Sequence, residues 1–69
     1  MVKEHDVVVL TEDLPVEGLH KGDVGAVVHC YQVGGLYEVE FIDEHGSTVR
    51  IALIAASQLM KLNLLSLTM

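Results

Sequence analysis

At 69 residues the chain makes a single domain, residues 1–69, close to the lower limit at which one core outweighs chain entropy. Its single cysteine, Cys30, excludes an internal disulfide as support, and ten acidic side chains against Lys3, Lys21, Arg50 and Lys61 give a net charge of −6 that repels polyanions such as nucleic acid. Hydrophobic residues nevertheless make up 51% of the chain, and since no apolar run approaches the roughly 18 residues of a membrane helix, the excess points to a subunit interface and to no membrane. A lone cysteine behind a polar start, Met1-Val2-Lys3-Glu4, without a signal peptide predicts a reducing, cytoplasmic location.

His5-Asp6-Val7-Val8-Val9-Leu10 is rich in β-branched residues and predicts the first strand. Four apolar residues in a row within it suggest burial on both faces, or a core on one and a partner on the other. Thr11 to His20 has no alternation, and Pro15 lacks a ladder donor, so this stretch reads as a long loop pinned by Leu14 and Leu19. Lys21-Gly22-Asp23 is turn chemistry, and it launches a second strand over about Val24 to Tyr31, with Val24 and Val28 expected to face the core. Gly25, just inside that strand, weakens it unless the chain bends there or another backbone passes close by. Gln32-Val33-Gly34-Gly35 marks a hairpin turn.

Leu36-Tyr37-Glu38-Val39-Glu40-Phe41 alternates cleanly, with Tyr37, Val39 and Phe41 on one face and Glu38 and Glu40 on the other, as in a half-buried antiparallel strand. Asp43-Glu44-His45-Gly46 forms the next turn, and Thr48 to Ile54 a fourth strand with Val49, Ile51 and Leu53 expected to face the core. The hydroxyl of Ser57 is placed to start one short 3-10 turn, Gln58-Leu59-Met60. Lys61 to Met69 is compatible with a last strand, a short helix or an interface arm. The order of these elements predicts an all-β fold, a small SH3-like five-stranded antiparallel barrel with Gly22, Asp23 and Gly25 as its structural turn.

The block His5 to Pro15, with Gly18-Leu19, Lys21-Gly22-Asp23-Val24-Gly25, Tyr37-Glu38-Val39-Glu40-Phe41 and Ala56-Ser57-Gln58-Leu59, resembles a family of short bacterial proteins catalogued as domain of unknown function 4926. The resemblance runs from about Lys3 to Leu62. It implies an SH3-like barrel and implies no activity. The shorter stretch Gly22 to Val28 is similar to the glycine-centred motif of KOW domains in ribosomal and transcription proteins, and to the barrels of photosynthetic accessory subunits. That likeness reports a barrel corner more than a shared role.

No constellation for chemistry emerges. His5, His20, His29 and His45 show no metal spacing, and His29 and Cys30 point to opposite faces of a strand, so no metal or cofactor site is expected. Glu38 and Glu40, about 7 Å apart on one face, lack any nucleophile or oxyanion donor around them and read as a solvated strand face. Ser47, Thr48 and Ser57 stand in no order of a catalytic triad, and Gly22 and Gly25 open a strand, not the helix of a phosphate loop. Four scattered basic residues and three aromatics make neither a groove nor a stacking platform for nucleic acid.

The reading is therefore a non-enzymatic protein-interaction module, an acidic barrel acting as a homo-oligomer or as an accessory subunit. Glu12, Asp13, Glu38 and Glu40 are its candidate partner surface, and Leu62, Leu64, Leu65 and Leu67 its candidate oligomer interface, a dimer being favoured. The competing classes are an immunity or antitoxin-type inhibitor of a basic enzyme and a KOW-like nucleic-acid binder.

Overall fold

The computed structural model describes residues 2–31, 33–43 and 45–62. Five strands, β1 (Val7–Leu10), β2 (Val24–Tyr31), β3 (Leu36–Ile42), β4 (Thr48–Ala55) and β5 (Leu59–Lys61), are joined with single 3-10 turns at Pro15–Glu17 and Ala56–Gln58. All pairings are antiparallel, and the strands form one sheet in the order β4-β3-β2-β1-β5. The fold is all-β, as the alternation predicts. Among the described residues its ladder is open: β4 and β5 are the two edges, with no pairing between them.

Each strand begins where the local chemistry dictates. His5, expected in the first strand, has φ 73° and closes a turn in which the Asp6 carboxylate accepts the Lys3 N–H at 2.8 Å, so β1 starts at Val7. The long loop is pinned as expected: Leu14 and Leu19 exchange both backbone hydrogen bonds, at 3.0 and 3.1 Å, and Leu19 is buried. Pro15, with its preset φ, opens the 3-10 turn between them. The second 3-10 turn comes two residues earlier than Ser57 capping would place it. Gln58 accounts for the shift, because its side-chain oxygen accepts the Ala55 N–H at 3.0 Å and Ser57 makes no cap.

The inner face of the sheet carries the core, Val8, Leu10, Val27, Val39, Phe41, Ala52, Ile54 and Leu59, closed from the loop side by Leu19. Burying side chains such as Leu10 and Ile54 stabilises by about 1.5 to 3 kcal/mol each. Val39 and Phe41 sit inside with Tyr37 packed at the margin, as their alternation predicts.

Two expectations about facing are overturned. On β2 the inward residues are Gly25 and Val27, while Val24 and Val28 point outward, 42% and 39% exposed. On β4 the inward residues are Ala52 and Ile54, and Val49, Ile51 and Leu53 stand outside. Register decides both cases. Val39, wholly buried, lies opposite Val27 on one side and Ala52 on the other, so those residues must share its face. Bulges at Val27/His29 and at Phe41/Ile42 break the simple count along the strands.

Gly25 holds the centre of this arrangement. A Cβ there would lie 2.6 Å from the Glu40 carbonyl oxygen, 2.8 Å from Val39 Cγ1 and 3.0 Å from Phe41 Cδ1. The close approach of another backbone, expected at this glycine, is what the structure contains.

Candidate interaction surface

The loop acids are built into the scaffold. At the turn before β2, Gly22 adopts φ 96° and donates its N–H to the Leu10 carbonyl at 2.9 Å, while the Asp23 carboxylate accepts the His20 N–H at 2.8 Å. Asp13 accepts the Lys21 N–H at 2.8 Å, which ties the long loop to the same turn. Glu12 accepts the Gln58 side-chain amide at 3.0 Å, and the Gln58 carbonyl accepts the Thr11 N–H at 2.9 Å. Glu17 meets Arg50 of β4 at 3.1 Å. Glu12, Asp13 and Glu17 thus fasten the long loop to three other parts of the chain.

Glu38 and Glu40 differ from them. They lie on the outer face of β3, half-buried, where Glu38 is flanked across the strands by His29 and Leu53, and Glu40 by Ala26 and Ile51. Glu40 accepts a hydrogen bond from the Thr48 hydroxyl. His29 in turn sits 3.7 Å from the Glu4 carboxylate and edge-on to Tyr31, with ring centres 4.5 Å apart.

Beside the two acids runs a row of apolar side chains. Val49, Ile51 and Leu53 alternate along the outer face of β4 and are 62%, 52% and 55% exposed. Leu53 continues at the hairpin end into an apolar depression of about 380 Å³ that it lines with Tyr31, Val33 and Leu36. Sequence reasoning assigned this row to the core. A usable signal was present, because both phases of Val49-Arg50-Ile51-Ala52-Leu53-Ile54 are apolar apart from Arg50, and a strand apolar on both faces needs two covers.

At the opposite edge Leu59 is buried, Met60 is exposed and Leu62 is half-buried, its N–H donated to the Val7 carbonyl at 2.9 Å. Of the four leucines expected at an oligomer interface, Leu64, Leu65 and Leu67 lie outside the described residues. Lys61 approaches Asp6 at 3.5 Å. The Asp6 carboxyl is held below its ordinary value, chiefly by the Lys3 amide bond and, against a smaller desolvation cost, by the Lys61 ammonium.

Chemically the outer face offers apolar area, two carboxylates and a strand edge, β4, that is unpaired among the described residues. Among the described residues no three of the His, Cys, Asp and Glu side chains gather as metal ligands, and no helix is long and apolar enough to cross a membrane. Residues 4–61 match the model of a family described as Domain of unknown function (DUF4926). No curated protein and no solved structure matches the chain.

Proposed function

The chain belongs to the DUF4926 family, whose description carries no activity, and from that premise we propose that it is a non-enzymatic protein-interaction module, working as a homo-oligomer or as an accessory subunit of a larger assembly. The SH3-like description of its strand order, with a long first loop and a 3-10 turn before the last strand, belongs to the same reading. One observation carries it: Val49, Ile51 and Leu53 stand more than half exposed in alternation on an edge strand, beside the Tyr31–Val33–Leu36 depression. Large contiguous apolar surface of this kind is rare on a monomer that has nothing to bind.

Light scattering on the full chain up to high micromolar concentration, alongside a variant carrying Val49→Thr, Ile51→Thr and Leu53→Thr, tests the proposal. Expected are a self-associating or partner-bound parent and a monomeric variant of unchanged fold, since outward substitutions move stability by less than about 0.5 kcal/mol each. A monomeric parent together with an unfolded variant would overturn the reading, because the row would then be covered from within the same chain.

A further inference from the structure

The geometry points to a second copy of this chain as the occupant of the β4 edge, added as an antiparallel strand with Ile51 on the two-fold axis, so that two sheets join into one ten-stranded sheet. This rests on the interaction-module reading above and names its partner.

The first ground is that β4 carries only one of the devices by which sheets protect an edge, the bulge near its start that leaves Val49 without a register partner on β3. It is eight residues long, contains no Lys and no Pro, and its single charge, Arg50, is turned to the Glu17 carboxylate at 3.1 Å. The second ground is self-complementarity. An isologous contact requires that if residue i meets residue j, then j meets i. Antiparallel pairing centred on Ile51 sets Ile51 against the partner's Ile51, Val49 against the partner's Leu53, and Arg50 against the partner's Ala52. All three outward side chains of each copy then lie in one continuous apolar stripe. Centring on Arg50 would place two guanidinium groups directly opposite one another, which is unfavourable. Centring on Ala52 would leave Val49 against a mere alanine.

Charge does not forbid the arrangement. The pair Glu40 and Ile51 share a register position, so Glu40 and the partner's Glu40 are separated by three strand spacings, about 14 Å. That exceeds the Debye length of about 8 Å at physiological ionic strength. The area sets the strength. One strand pair with three apolar residues a side buries on the order of 1,000 Å² in total, below the size of stable specific interfaces and in the range of weak, reversible ones. The dimer is therefore expected to dissociate in the micromolar range, with exchange between copies.

Cysteine crosslinking on the full chain, in a Cys30→Ser background, reads the register. Directly opposed residues in an antiparallel pair have Cα atoms about 4.5 to 5.5 Å apart, inside the range a disulfide spans. Ile51→Cys is expected to give a covalent dimer under mild oxidation. Val49→Cys and Leu53→Cys alone should not, because each cysteine lies about 13 Å from its own mate, and the Val49→Cys, Leu53→Cys double variant should recover the product. Ile51→Glu should weaken self-association at least about tenfold while the chain still melts cooperatively, at a somewhat lower temperature, since it sets two like charges directly opposite each other across the axis and faces Glu40 within its own chain. If the chain self-associates yet Ile51→Cys does not crosslink and Ile51→Glu has no effect, the contact lies elsewhere. The edge pairing is then refuted while the interaction reading stands. A full chain that sediments as a monomer at high micromolar concentration refutes the pairing outright. The threonine variant of the row then decides whether the interaction reading falls with it.

Discussion

The two edges of the sheet are finished differently. β5 is three residues long, ends on Lys61 paired with Asp6, and leaves one large apolar side chain, Met60, outward. β4 is eight residues long, and its outward face is Val49, Ile51 and Leu53. A short edge with an acid–base pair is protected against further pairing, and a long apolar one invites it. The comparison teaches that excess hydrophobicity in a small domain need not lie in a tail or a core. Here a large part of it sits on one edge strand whose other face already builds the core through Ala52 and Ile54.

The largest expected effect bears on what holds both edges in place. Gly25 lies in β2, two strands from β4 and one from β1, and the Glu40 carbonyl stands 2.6 Å from where its Cβ would be. A backbone atom in a paired strand cannot swing aside as a side chain can. Gly25→Val should cost at least about 3 kcal/mol, at the upper end of overpacking effects, as measured by urea unfolding. A loss under about 1 kcal/mol would mean that the sheet yields at this point and that its register is softer than described.

The two faces of β4 come next, because they fix which side of that edge is free. Ile54→Ala should cost about 2 to 5 kcal/mol, as for a fully buried aliphatic, while Leu53→Ala, one residue away, should cost less than about 1 kcal/mol in dilute monomer. The opposite order would turn the strand over and place Leu53 inside.

The smallest effect concerns the protected edge. Folding lowers the pKa of Asp6 from 3.8, so the folded state binds a proton less readily than the unfolded one. Its stabilising contribution is present above the unfolded value and fades as pH falls through the lower, folded one. Asp6→Asn should therefore be less stable than the parent at neutral pH and converge with it in acid, below about pH 4. A constant difference across that range would mean that the charge on Asp6 contributes to neither the Lys3 turn nor the Lys61 pair.

Much of this arrangement was legible in the chain. The turn at Gly22–Asp23, the pinning pair Leu14 and Leu19, and the alternation of Tyr37, Val39 and Phe41 all express local rules, and all are found where those rules put them. Gly25 announced a close approach because a glycine in a β-branched run needs a reason. The facing of β2 and β4 was not legible. Val24-Gly25-Ala26-Val27-Val28 and Val49 to Ile54 are apolar in both phases, so period-two patterning cannot choose between them. The choice is made non-locally, by pairing to the one strand whose phase is unambiguous. The partners of the loop acids were not legible for a related reason: Glu12, Asp13 and Glu17 look solvated in sequence, and only the fold brings Gln58, Lys21 and Arg50 to them.

The difference between the edges is tested most directly by amide hydrogen exchange of the full chain at low and high protein concentration. The account predicts that the amides of Thr48–Ala55 gain protection as concentration rises, while those of Leu59–Lys61 exchange at the same rate throughout. Protection of β4 that does not depend on concentration, or that rises equally at both edges, would contradict it.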